Sequence, residues 1–545
     1  MNLRLLPALL VLLACAGESA AAPVALPAPV VAPVAPPAPP ATPLDPAFER
    51  LIESHLQFLA SDDLGGRETG TVQGLVTGQY VASAMRQAGL QPAGEEDGYF
   101  QKYPLETNRL QKEAANLQIL AGGGETELKL GEDWALSGFT SAGFDLTGGA
   151  VFAGHGLVSA EAGVDDYAGL DAAGRYVVVL EGRPRGRDSL RSVSNWRAKR
   201  LAAQAHGALG LVTIYEEARA DGRDGFASLI DRIDHPSMAV PPGPDEAPVA
   251  WPMVGLASAA GARLLAAGGL DLAAERAARA PAEAPAGAPP EPLRPLPPGR
   301  ELQAVSLHLV APVSSERING YNVLGAIPGS DPLLARETVL VTAHMDHIGV
   351  LDDGRVNNGA DDNASGTTTL LVSAALLAQR PAARRTIVFL SVSGEEKGLL
   401  GSEWWCNHPT FPLADAVADI NVDMVGRNDP DAVGATPSPA HEAYNTLVER
   451  AVQLAPLSGL RITWTSPEAG DDLVDNYFTR SDHYHFAEHG VPVVFFFSGL
   501  HEDYHRPTDD LEKIDRAKIA KMVDFVARLA TETANADARP HTLKP

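Results

Sequence analysis

The chain has 545 residues, a formal net charge of −26 and two cysteines. That length is enough for roughly three or four domains with ample core. The acidic balance sets the chain against nucleic acid and anionic membrane surfaces, whose phosphates it repels, and describes first of all a solvated surface.

In chain order, MNLRLLPALLVLLACAGESAAAP joins one arginine to an apolar run from Leu5 to Ala14 and then to small residues. The run is too short to span a bilayer and reads as an export signal over 1–21. Leu12-Leu13-Ala14-Cys15 resembles a bacterial lipobox, which would place lipid on Cys15 and make a membrane-anchored lipoprotein of the periplasm; Ser19-Ala20-Ala21 offers ordinary cleavage and soluble export. Either route leaves Cys406 alone, so no intramolecular disulfide is expected. Residues 22–44, almost all Ala, Pro and Val, form a spacer with nothing to pack.

Order is expected from Asp45-Pro46, a helix cap and first position, with Phe48, Leu51, Ile52, His55 and Leu59 on one face. A turn over 62–67 leads to a second helix through about Ala88, stopped by Gly89. These belong to an N-terminal part of the main domain over 45–129. From 130 to 280 the texture becomes short β-rich runs, 149–152, 176–180 and 209–214, with a helix over 196–205, and reads as a small inserted module. A second Ala/Pro linker fills 281–299.

Residues 300–535 then alternate strands and helices, followed by a tail over 536–545. Strands are expected at 321–327, 338–343, 385–392, 417–422 and 491–497, helices at about 366–378, 397–406, 440–453 and 511–531. The strands are continuously apolar, as in a mainly parallel α/β sheet covered by helices on both faces. The last four of these strands run into acidic or imidazole residues. His344 and Asp346 follow the second, Glu395 and Glu396 the third, Asp423 the fourth, and Tyr504 and His505 the fifth, while Asp361-Asp362-Asn363 closes a Gly-rich loop before a helix. Taken singly, each is an ordinary cap or turn residue; five such segments meeting at one sheet edge point to a metal site.

The charges balance for two zinc ions: carboxylates of Asp361, Glu396 and Asp423 with a bridging hydroxide meet four positive charges, and His344 and His505 complete the shells. Glu395 is left over to act as general base toward water whose pKa the metals lower, which gives hydrolysis of an acyl or amide bond. Manganese or cobalt would fit the same N/O set.

AHMDHIG, NNGADDNASG, SGEEKGLLGS, NVDMVGR, SDHYHF and DYHRPTDD resemble metallopeptidase family 28, the zinc aminopeptidases, in its bacterial exported branch. The resemblance implies that His344 and Asp423 hold one zinc, Glu396 and His505 the other, and Asp361 bridges them, with a cis peptide between Asp361 and Asp362. It implies Glu395 as general acid/base, Tyr504 as a hydrogen-bond donor to the oxyanion, Asp346 as the partner fixing the His344 tautomer, Asp362 as a residue orienting the loop, and Asp482 and His483 as a pocket-lining motif. It further implies that 130–280 is a protease-associated domain and that the substrate is a peptide with a free N-terminus. Two other uses of the same site stay open: a carboxypeptidase, dipeptidase or glutaminyl cyclase, with Arg427, Arg480 or Arg506 reading a carboxylate, and a non-catalytic binding protein, which would be expected to have lost ligands. Pocket preference and oligomeric state are not legible.

Overall fold

The computed structural model describes residues 44–544, apart from 139–142, 161, 191–192, 217–224, 234, 243–250, 281–294, 352 and 467–471. The export signal, nearly all of the first linker and most of the second therefore lie outside the described residues. Asp45 accepts the Ala47 N–H at 2.8 Å and Pro46 follows it, which starts the helix Pro46–Leu59; Phe48, Ile52, His55, Leu56 and Leu59 are its buried face. Helix Val72–Gln87 follows.

The main sheet has ten strands. Thr338–His344 lies at its heart, parallel to Thr386–Val392 on one side and to Ala416–Val422 on the other, with Val493–Phe497 parallel beyond the latter. Antiparallel strands flank these: Val313–Ile327 beside Thr386–Val392, Phe100–Leu110 beside that, and Ala432–Thr436 beside Val493–Phe497; three short strands, Gln91–Pro92, Ser237–Ala239 and Arg461–Thr463, make up the ten. Every residue of Thr338–His344 is buried because alternate side chains enter different layers. Val339, Val341 and Ala343 pack among Leu370, Leu371, Val523 and Val526, from helices Gly366–Ala378 and Arg516–Asn535. Leu340 faces the opposite layer with Trp405 and Phe486, from helices Leu400–Asn407 and His483–Glu488. Each such buried aliphatic contributes about 1.5–3 kcal/mol. The fold is thus mixed α/β with a parallel centre and helices on both faces, as the apolar strands require.

A second sheet of eight strands is ordered Gly124–Leu128, Asn116–Ala121, Arg300–Ala311, Phe144–Phe152, Tyr176–Leu180, Gly210–Ile214, Met253–Leu256 and Trp134–Gly138. Its limits differ from those expected at 130 and 280. Arg300–Ala311, on the far side of the Pro-rich linker, pairs with Asn116–Ala121 and Phe144–Phe152, because Leu302, Val305, Leu307 and Leu309 bury into this second core. The main sheet regains the chain at Val313, opposite Leu110. Among the described residues no helix is long and apolar enough to cross a membrane, and Cys406 is a buried free thiol.

Candidate metal centre

Parallel strands deliver their C-terminal ends to one edge, and the sequence places its polar residues at those ends. His344 closes its strand, Glu395 and Glu396 follow Val392 by a short turn, Asp423 follows Val422, and His505 lies in the segment after Phe497. Each side chain is aimed by a specific contact. Ser481 Oγ donates to Asp423 Oδ2 at 2.9 Å, leaving Oδ1 to face His344 Nε2 at 3.2 Å. His344 Nδ1 lies 3.2 Å from the Asp346 carbonyl, while the Asp346 carboxylate is 3.8 Å away. The tautomer with the proton on Nδ1, and so a free Nε2, is therefore set by Asp346 through its main chain. The Asp346 carboxylate instead accepts the Glu395 N–H at 3.3 Å. Before Glu395, Gly394 turns at φ +77° and its N–H is held by Thr69 Oγ1 at 2.8 Å.

The acidic loop differs from expectation by one residue. Asp361 does not stand between the two halves of the cluster: its Oδ1 accepts the Gly426 N–H at 2.6 Å and its Oδ2 lies 3.2 Å from His501. Asp362 takes that place, with Oδ1 3.5 Å from His344 Nε2 and Oδ2 3.3 Å from His505 Nε2. The cis peptide likewise joins Asp362 to Asn363, not Asp361 to Asp362. Asn363 fixes this register by accepting the Met424 and Gly366 N–H groups and donating to the Val422 carbonyl at 3.0 Å.

The spacings match a shared metal shell. Ligands at about 2.0–2.2 Å from a tetrahedral zinc stand about 3.3–3.6 Å apart. His344 to Asp423 and Asp362 gives 3.2 and 3.5 Å, and His505 to Glu396 and Asp362 gives 3.1 and 3.3 Å. His344 Nε2 and Asp423 Oδ1 are buried with no hydrogen-bond partner, a condition that a bound cation relieves. The His/Asp/Glu donors suit zinc and tolerate manganese or cobalt. His347, Asp362 and Glu396 form a second close group, in which His347 is buried.

Electrostatics agree. Burial opposes the charge on His505, yet Glu396 and Asp362 outweigh it and push its pKa up to about 10. Burial likewise opposes charging His344, and Asp423 and Glu395 overcome it. Glu396 falls well below the usual carboxylate range because His505 and His347 outweigh its burial. Glu395 moves the other way, raised by burial and then by Glu396 and Asp423, although His344 opposes this. One glutamate held as an anion beside one that favours a proton is the environment of a ligand next to a proton carrier.

Glu395, Asp362 and Asp423 open onto a cleft of about 330 Å³ whose other walls are Met424, Tyr477, Arg480, Phe495, Phe497, Leu500 and Tyr504. Arg480 Nη2 donates to Tyr504 Oη at 3.4 Å. Asp482 and His483 lie behind this wall. His483 stacks on Phe495 at 4.5 Å, and Asp482 is fully buried, its carboxyl pushed up to about 7 by burial. Of the three arginines considered for a carboxylate, Arg480 lines the cleft, whereas Arg427 is engaged by Asp503 at 3.0 Å.

Two residues that hold the site are not among those expected to. Arg67, 1% exposed, donates to the carbonyls of Met345 at 2.9 Å and Gly359 at 3.0 Å, and to those of Leu59, Asn358 and Asp362. Asp509 accepts the N–H groups of both Asp361 and Asp362.

Comparison with known proteins places this geometry. The model of Peptidase family M28 matches residues 322–530. Aminopeptidase YwaD of Bacillus subtilis is 29% identical over 222 residues, covering 38% of this chain and 44% of that protein. A probable leucine aminopeptidase of Arthroderma otae is 29% identical over 225 residues, covering 40% of this chain and 58% of its own length. The chain thus spans about half the length of these curated relatives. Among solved structures, the aminopeptidase from Aneurinibacillus sp. strain AM-1 shares the fold with a TM-score of 0.53 at 18% identity, covering 91% of this chain and 95% of that one. The segment that supplies His344, Asp362, Glu396, Asp423 and His505 is a Peptidase family M28 domain.

Proposed function

We propose that the chain is an exported metallo-aminopeptidase that removes N-terminal residues from peptides. The observation that carries this is the shared carboxylate: Asp362 faces His344 with one oxygen and His505 with the other, beside an uncommitted Glu395 at the floor of an apolar-walled cleft. In this reading His344, Asp423 and Asp362 hold one zinc, and His505, Glu396 and Asp362 the other. When bound, the zinc ions act as Lewis acids toward water and the scissile carbonyl.

The chain's own groups then have separate tasks. Met424, Phe495, Phe497 and Leu500 receive the first side chain of the peptide, and the carboxylate cluster attracts its α-ammonium. Glu395, whose carboxylate binds a proton more strongly because it is buried, accepts the proton of the attacking water and returns it to the leaving amine. Tyr504 donates its phenolic hydrogen to the carbonyl oxygen as negative charge develops there, and Arg480 aims that phenol. The leader over 1–21 supports export, either as a periplasmic lipoprotein or as a soluble enzyme, and the eight-stranded sheet is read as an inserted protease-associated domain.

A panel of aminoacyl-nitroanilides with free and N-acylated termini, run with and without chelator, tests this. Cleavage of free termini only, abolished by chelator, is expected, and Glu395→Gln should keep its metal while losing turnover by about 10²–10⁴-fold. Cleavage of N-acylated substrates would overturn the aminopeptidase. The presence of Arg480 on the cleft wall favours, as second reading, a dipeptidase that reads a substrate carboxylate; preference for dipeptides over nitroanilides, lost in Arg480→Met, would select it.

A further inference from the structure

His347 is wholly buried, at 0% exposure, yet none of the five ligand positions needs it. Its Nδ1 stands 2.6 Å from Glu396 Oε1, while His505 Nε2 stands 3.1 Å from Glu396 Oε2. These two separations have different physical meanings. The longer one is close to the spacing of two ligands on one ion, and the shorter one lies well below it. It is the length of a charge-assisted hydrogen bond. The other oxygen within reach, Asp362 Oδ2, is 3.9 Å from Nδ1.

The ring also sits in a slot made for it. Gly359 lies against it with φ +55°, and a Cβ on that residue would stand 2.5 Å from His347 Cγ and Cδ2. An adjacent edge-on contact with His505, centroid to centroid 5.8 Å, closes the other side. These contacts set the plane of the imidazole, and the bond to Glu396 sets Nδ1 on that side.

We propose that His347 is a positioning residue for the second metal site: it donates Nδ1–H to Glu396 Oε1 and thereby reserves Oε2 as the single ligating oxygen of Glu396. The inference rests on the two-ion reading above. Held in this way, Glu396 would present one oxygen to the second ion; released, it could turn both oxygens inward or swing away. Outer partners of metal ligands typically change affinity 10–100-fold.

The test is titration of chelator-stripped protein with Zn²⁺ in competition with a chromophoric chelator, with folding followed by thermal unfolding. The wild-type protein should bind two ions. His347→Ala should weaken one of them about 10–100-fold and leave the other unchanged. His347→Asn, whose amide N–H can stand where Nδ1–H stands, should restore binding to within a few-fold, and His347→Gln, whose amide reaches the Nε2 position, should not. Unchanged binding in His347→Ala, or an Asn variant no better than Ala, overturns the inference, the latter being what direct ligation or simple space-filling predicts. Should the Ala variant not fold, Asn against Gln decides in the same way. A wild-type protein that takes up no zinc overturns the two-ion reading itself, whereas two tight ions with no difference among variants overturns the role of His347 alone.

Discussion

The main-chain N–H of Asp362 donates to Asp509 Oδ2 at 3.1 Å. Asp361 donates to the same carboxylate, so the acidic loop is fastened by its backbone and Asp362's side chain is left free for its neighbours. Asp509→Ala strands two buried N–H groups at about 1–3 kcal/mol each. Its Tm is expected to fall and its metal to leave faster under chelator, with Asp509→Asn, which keeps one acceptor oxygen, in between. Equal metal release in all three proteins would separate Asp509 from the site.

Asp361 and Asp362 give opposite forecasts. Asp362→Ala removes the oxygens that face both His344 and His505, and should lower bound metal and cut activity by about 10³-fold or more. Asp361→Ala removes an acceptor from Gly426 and should act chiefly on stability, by about 1–3 kcal/mol. Metal content of the two purified variants discriminates, and greater metal loss in Asp361→Ala would restore Asp361 as the bridge.

Arg67 gathers carbonyls from three stretches of chain. Burial lowers its pKa to about 10, so it remains charged at neutral pH. Lysine cannot present the same planar fork, and Arg67→Lys is expected to lose about 2–4 kcal/mol in denaturant unfolding together with metal affinity. A variant of wild-type stability and metal content would show that the fork is dispensable.

His55 supplies a pH test away from the site. It is buried, its Nδ1 is 2.8 Å from Tyr80 Oη, and burial lowers its pKa from 6.5 to about 4. The native state therefore binds fewer protons than the unfolded chain between those values, and stability is lost as pH falls from about 6.5 to about 4. The loss is about 3 kcal/mol at its limit. His55→Phe should unfold less steeply over that interval, and identical acid transitions would remove His55 as a cause.

The sequence makes the architecture and most of the site legible for one reason. Continuous apolar runs such as Thr338-Val339-Leu340-Val341 announce strands buried on both faces, and in a parallel sheet their ends share an edge, so His344, Glu396, Asp423 and His505 can be brought together without knowing a coordinate. The triplet Asp361-Asp362-Asn363 cannot be ordered in that way. A loop has no period, and whether Asp361 or Asp362 faces the histidines depends on Asn363 bonding to Val422 and Met424. The roles of Arg67 and Asp509 are silent for a related reason: their partners are main-chain groups, which every residue has. Arg300–Ala311 joins the second sheet although its place after the linker puts it with 300–535, since strand pairing is decided by tertiary burial and not by neighbourhood in the chain.

Leu110 and Val313 are cross-strand partners, and just beyond them Gln111 N–H donates to the Pro312 carbonyl at 2.9 Å. Some two hundred residues thus leave and re-enter the main sheet at this point, giving it one short strand on the way, Ser237–Ala239 beside Phe100–Leu110. The eight-stranded module is an excursion from a β-turn: the eleven pairs of Phe100–Leu110 with Val313–Ile327 fix their register within the main sheet, and that register carries the edge where His344, Glu396 and Asp423 meet.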